Sequence, residues 1–126
     1  MQVKVTIPYM PELSKNRGRK RNRYGRIYTD TATKAAMKAV AYYIMSKTPR
    51  SSWNPTAALR VDLGVFFKRA GTDPQNFVDY ISDAIELGTG INDRYFIPFN
   101  VYGEKDAKNP RFEITLTQEE VKDESA

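Results

Sequence analysis

Asp73, Asp79, Asp83, Glu86 and Asp93 place five carboxylates within 21 residues of a 126-residue chain that contains no histidine and no cysteine. Without imidazole or thiol there can be no Ser-His-Asp triad, no cysteine nucleophile and no thiolate or histidine metal site. Hydrolytic chemistry would have to run on carboxylates, lysine, tyrosine, or a hard metal ion held by oxygen. Asp79, Asp83 and Glu86 stand at i, i+4 and i+7, a spacing that lines them along one face of a helix. Asp73 stands where such a helix would begin, and its free N–H groups and dipole favour a carboxylate there. Asp93 follows a Gly-rich turn and precedes an apolar segment that reads as a strand. A helix start and a strand start on either side of one turn can converge. Carboxylates gathered that way repel one another unless a divalent cation neutralises them, and Mg²⁺ takes oxygen ligands of this kind. A cation so held would assist hydrolysis of a phosphodiester. The same spacing also suits a solvated helix face with Asp73 as no more than a cap.

Positive charge is concentrated in the other half. Residues 1–70 carry 15 Lys and Arg against 3 Asp and Glu, whereas residues 71–126 carry 5 against 12, for a net charge of +5. Lys15, Arg17, Arg19, Lys20, Arg21, Arg23 and Arg26 put seven cations in twelve residues, interleaved with Asn16, Asn22, Gly18, Gly25, Tyr24 and Tyr28. Arginine forks suit phosphate oxygens, asparagine adds hydrogen bonds, and tyrosine can stack on an unpaired base. A loop of this kind is expected to repel itself and stay mobile until a polyanion neutralises it. A solubilising segment, a contact to an acidic protein, or an RNA-binding basic domain are the other readings of the same residues.

The elements that must position these groups follow from periodicity. Residues 2–7 alternate as a half-buried strand, ended by Pro8 and Pro11; residues 12–28 show no apolar period and read as the basic loop. A helix is expected from Asp30 or Thr31, with Ala32, Ala35, Ala36, Ala39, Val40, Tyr43 and Ile44 as its apolar face. Residues 58–68 form the clearest strand, with Leu59, Val61, Leu63, Val65 and Phe67 on one side. A second helix starts near Pro74, capped by Thr72 or Asp73, buries Phe77, Ile81, Ala84 and Ile85, and stops at Gly88 or Gly90. Strands over 95–102 and 111–117 complete the order β-α-β-α-β-β, an α+β domain over 1–118 with two helices on a mixed β-sheet, followed by an acidic tail over 119–126. No apolar run approaches a membrane span and the N-terminus has no signal-peptide pattern, so a cytoplasmic protein is expected.

The order of these features resembles the RusA family of Holliday junction resolvases. The family opens with a strand and a Pro-Asn-rich turn, here Pro8-Tyr9-Met10-Pro11-Glu12-Leu13-Ser14-Lys15-Asn16, then a basic loop and an amphipathic helix. Its diagnostic stretch D-x-D-N-x-x-K-x-x-x-D-A-L, a Gly turn and D-D resembles Asp73-Pro74-Gln75-Asn76-Phe77-Val78-Asp79-Tyr80-Ile81-Ser82-Asp83-Ala84-Ile85, then Gly88-Thr89-Gly90-Ile91-Asn92-Asp93. The family's first aspartate falls on Asp73, its asparagine on Asn76, its helix aspartate on Asp83. With one extra residue in the Gly turn, the second of its paired aspartates falls on Asp93. Its second catalytic aspartate falls on Gln75, its lysine on Asp79, and the first of its paired aspartates on Asn92.

The resemblance implies a RusA-like fold and a homodimeric, often phage-encoded endonuclease that resolves four-way DNA junctions by paired nicks in recombination and repair. It implies Mg²⁺ as cofactor, with Mn²⁺ as a substitute. Asp73 and Asp93 would be catalytic metal ligands, with Asp79 and Asp83 completing the shell and Gln75 and Asn76 supporting it. Lys15, Asn16, Arg17, Arg19, Lys20, Arg21, Arg23 and Arg26 would grip DNA. The departures leave two outcomes: Asp79 restores the charge missing at Gln75, or the protein binds junctions through the same fold with a weakened site.

Overall fold

The computed structural model describes residues 1–119, so the tail read over 119–126 lies outside the described residues apart from the exposed Glu119. Alternating apolar and polar residues make β1 (Gln2–Pro8), whose Val3, Val5 and Ile7 are buried while the side chains between them are exposed. The same period builds β4 (Leu59–Phe67) and β6 (Arg111–Thr117). With β5 (Phe96–Lys105) they form one mixed sheet in the order β1-β6-β4-β5, where β6 runs antiparallel to both neighbours and β5 parallel to β4. Register shifts between Leu59 and Val61, beside Ile97–Pro98 of β5; proline has no N–H to give the ladder, and β5 is an edge strand that accommodates it.

Two helices cover one face of this sheet. α2 (Thr31–Lys47) and α3 (Val78–Thr89) touch each other closely, because Gly88 of α3 brings its backbone against the carbonyl of Ala41. Val40, Ile44, Phe77, Ile81, Ala84 and Ile85 join the inward side chains of the strands in one core. The expected inner stripe of α3 is the observed one. That of α2 is rotated: Thr33, Ala36, Val40, Ala41 and Ile44 are buried, whereas Ala32, Ala35 and Tyr43 are exposed. Thr33 goes inside because its hydroxyl donates to the Glu12 carbonyl at 2.7 Å, which satisfies it without water. A count of apolar residues could not foresee that rotation.

The larger correction concerns residues 12–28. Instead of an unstructured loop, a 3-10 turn over Pro11–Leu13 leads into a four-residue helix, α1 (Lys15–Gly18), and then into a hairpin of β2 (Arg19–Arg21) and β3 (Ile27–Thr29). Leu13 is fully buried, Gly18 lies under the Tyr80 ring, and Asp30 N–H reaches the Gly18 carbonyl at 2.8 Å. At the tip, Asn22 Oδ1 accepts from the N–H groups of Tyr24 and Arg26, and Gly25 takes the left-handed φ of 78° that the turn requires. Local hydrogen bonding at Asn22 and anchoring at Leu13 and Gly18 order a segment whose charge alone would spread it.

Gly18 is the hinge point of that anchoring. A Cβ there would overlap the outer edge of the Tyr80 ring, and Tyr80 is itself buried, so the ring must shift from its packed position to make room. Gly18→Ala should lower unfolding stability by about 1–3 kcal/mol, the usual cost of overpacking, and increase amide exchange at residues 19–29. Urea denaturation and hydrogen exchange check this; an unchanged exchange rate in the hairpin would mean that Gly18 does not hold it.

Candidate functional site

Parallel strands cannot be joined by a tight turn, so the chain leaves β4, crosses the sheet through α3, and enters β5 alongside. The inner face of α3 is apolar, and its outer face therefore carries Asp79, Asp83 and Glu86. Gly90, with a left-handed φ of 75°, ends the helix with its N–H on the Glu86 carbonyl at 2.8 Å. Ile91 is fully buried next to it, which contributes about 2 kcal/mol and ties the turn to the core. Thr89 Oγ1 donates to the Ile85 carbonyl and accepts from Ile91 N–H, and Asn92 Oδ1 accepts from Arg94 N–H. These contacts fold Asp93 back on the helix.

As a result, carboxylate oxygens of Asp83, Glu86 and Asp93 all lie within 4.8 Å of one another. A cleft of about 430 Å³ opens beside Asp83 and Asp93, lined also by Asp79 and, from the hairpin, by Arg19, Ile27, Tyr28 and Thr29. Partial desolvation raises the pKa of Asp83 above the ordinary carboxylate value, and the nearby charges of Asp93 and Asp79 raise it further. Hard oxygen donors at this spacing, held together against their repulsion, suit a divalent ion of the Mg²⁺ type.

The residues expected from sequence are thus only partly gathered. Asp83 and Asp93 meet. Glu86, read from sequence as sharing the helix face but not as a site residue, completes the group; its i+7 spacing from Asp79 was the signal. Asp79 lines the same cleft but faces cations instead, with Lys15 Nζ at 3.4 Å and Arg19 Nη2 at 3.6 Å. Asp73 is neither in the carboxylate group nor among the residues lining the cleft. Its Oδ1 accepts from Gln75 N–H at 3.0 Å and caps the 3-10 turn Pro74–Phe77 that starts the crossover. Gln75 and Asn76 sit on that turn, also outside the cleft lining. Asn16 is exposed on α1, and Lys20, Arg21 and Arg26 are exposed along the hairpin. Arg23 lies over the Tyr24 ring, 4.9 Å from its centroid, and Tyr24 is 75% exposed. Among the described residues, none of Arg17, Lys20, Arg21, Arg23 and Arg26 has a carboxylate within 4.0 Å.

The acidic cleft is thus walled on one side by the cationic hairpin, which brings Arg19 to it. The profile of endodeoxyribonuclease RusA matches residues 8–117. The chain belongs to the RusA family. Membership carries the general properties of that family: endonuclease activity on DNA, Holliday junction resolution as the general function, and dependence on a divalent metal. The α+β architecture with its mixed sheet is that of a RusA-type protein. No curated protein matches the chain significantly. Among the described residues no helix is long and apolar enough to cross a membrane.

The raised pKa of Asp83 has a consequence for stability. The folded protein holds this proton more tightly than the unfolded chain, so ionisation removes stability as pH rises from the ordinary carboxylate range through the raised value. Asp83→Asn should therefore raise the Tm of metal-free protein at pH 7, with the difference vanishing in acid where the aspartate is protonated. Mg²⁺ should raise the Tm of the parent and have little effect on the variant. Melting curves in EDTA and in Mg²⁺ across pH test this; a variant less stable than the parent at pH 7 would refute unrelieved repulsion.

Proposed function

We propose that this RusA-family protein is a homodimeric, Mg²⁺-dependent endonuclease that cuts four-way DNA junctions by paired nicks inside the cell. The observation that carries the reading is the group Asp83, Glu86 and Asp93 at the edge of a cleft whose opposite wall is the basic hairpin. Those three carboxylates would hold the ion. When bound, a divalent ion supplies the positive charge that polarises a phosphodiester and eases deprotonation of the attacking water. Mn²⁺ would satisfy the same donors.

The protein's own groups do the rest. Arg19 and Lys15 stand at the lip of the cleft to bind phosphate oxygens, and Asp79 holds them there in the absence of DNA. These exposed pairs are weak, so a phosphate can replace Asp79 at little cost. In this reading Asp79 is a positioning residue that keeps the cations aimed, and Asp73 sets the start of α3 from outside the group. Lys20, Arg21, Arg23 and Arg26 extend the phosphate-binding surface along the hairpin, with Asn16 beside it on α1. Exposed Tyr24, ordered by the Asn22 turn, is suited to stack where bases are unpaired. A two-fold dimer would offer two such clefts to two strands of one junction; Tyr42, 72% exposed on the outer side of α2, supports that helix as the pairing surface.

A labelled four-way junction incubated with and without Mg²⁺ tests the activity, and binding in EDTA tests recognition separately. Cleavage is expected only with metal, and affinity should fall steeply with salt as phosphate contacts release counterions. Asp93→Asn should reduce cleavage by about 100-fold or more through loss of the metal. Asp73→Asn preserves the cap while removing the charge, and should leave cleavage within several-fold of the parent. Equal loss in both variants would move the metal towards the head of α3. Binding without cleavage under any metal would leave a junction-binding protein with a weakened site.

Asp79→Asn separates positioning from ligation. As a positioning change it should weaken cleavage at low DNA concentration and recover at saturation. A loss that persists at saturating junction would make Asp79 a ligand instead.

A further inference from the structure

A second basic cleft lies on the other side of α1. Arg17 from that helix, Lys68 and Arg69 from the end of β4, and Thr72 surround a cavity of about 350 Å³ whose floor is Tyr9, Pro11 and Pro110. Lys15 and Arg17 are two positions apart, about 200° around a helix, so α1 sends one cation to the acidic cleft and the other to this one. The two clefts have no lining residue in common, and no carboxylate lines the second.

The arrangement is built rather than accidental. The Arg69–Thr72 turn is closed by Thr72 Oγ1 donating to the Arg69 carbonyl at 3.0 Å, with Gly71 at a left-handed φ of 88°. That turn sets the two cations that follow β4 opposite Arg17. The Tyr9 ring is fixed by Phe77 and Phe112, with ring centroids 5.6 and 5.5 Å away. Burial raises its phenol pKa, so it remains a neutral hydrogen-bond donor; Arg17 pulls the other way, and Glu12 is the one carboxylate close enough to weigh on it. No hydrogen bond among the described residues engages the Tyr9 hydroxyl. Three cations brought together without a carboxylate within 4.0 Å repel one another, and an anion relieves that repulsion.

We propose that Arg17, Lys68 and Arg69 form a subsite for a backbone phosphate of duplex DNA, separate from the phosphate at the carboxylate cleft. The subsite rests on the endonuclease reading above and extends it. It grips an uncut stretch of an arm while α1 holds the strand to be cut.

The test measures binding in EDTA, so it does not depend on cleavage. Lys68→Ala/Arg69→Ala should bind a four-way junction about tenfold or more weakly, and its log-affinity against log-salt slope should be shallower by about 1–2 contacts. A control pair on the exposed face of the sheet, Lys4→Ala/Arg60→Ala, should leave affinity nearly unchanged. Single methylphosphonate substitutions along the arms then locate the contact. One position should weaken the parent while having no effect on the Lys68→Ala/Arg69→Ala protein. Equal losses in the control pair would reduce the effect to net charge and overturn the subsite. So would additive losses at every methylphosphonate position, or equal loss on single-stranded RNA with no contact on duplex arms. If the parent itself ignores junction DNA, the endonuclease reading falls, and the subsite with it.

Discussion

Repulsion among Asp83, Glu86 and Asp93 is the force against which the functional half of this fold is built. Oxygens within 4.8 Å of one another would part if the backbone beneath them could yield. It cannot, because each carboxylate is carried by an element anchored in the core. The helix face opposite Asp83 is buried through Ile81, Ala84 and Ile85, and the turn that carries Asp93 is pinned by Ile91. Apolar burial thus holds an unfavourable charge arrangement in place. That is the usual relation between a stable scaffold and a strained functional group of charges.

The β4–α3–β5 crossover makes this arrangement possible. Parallel pairing of β4 with β5 obliges the chain to travel the length of the sheet between them, and the returning helix must show one apolar and one polar face. The polar face then ends beside the strand entrance at which Asp93 lies. Close approach of α2 at Gly88 fixes how far α3 can shift, so the second helix layer also bears on the carboxylates.

Charge is distributed around this crossover in two senses. The hairpin brings Arg19 to the acidic cleft, and α1 divides its cations between that cleft and the one beside Tyr9. Attraction between Asp79 and the pair Lys15 and Arg19 links the basic half of the chain to the acidic half. The net charge of +5 hides this division entirely. A RusA-family nuclease needs both signs, one to hold metal and one to hold phosphate, within a few ångströms and without mutual cancellation.

Much of this was legible in the residues alone. Alternation in β1, β4 and β6 and the three- and four-residue spacing of α3 depend on local geometry, so strands, helix and the shared face of Asp79, Asp83 and Glu86 could be read directly. Asp93 stood out by its place after a Gly-rich turn and before a strand, and the family register aligned it with a paired aspartate. Tertiary structure decided the remainder, because long-range contacts set it. Asp79 was engaged by cations about sixty residues earlier in the chain, whereas the Asp73 cap on Gln75 N–H is a local contact open to the sequence. The basic segment was ordered by a buried Leu13, a glycine under Tyr80 and an asparagine turn. Sequence determined which residues could do the chemistry; the turn at Ile91 and the packing of α1 determined which of them meet, since only closure of the core brings distant charges within reach of one another.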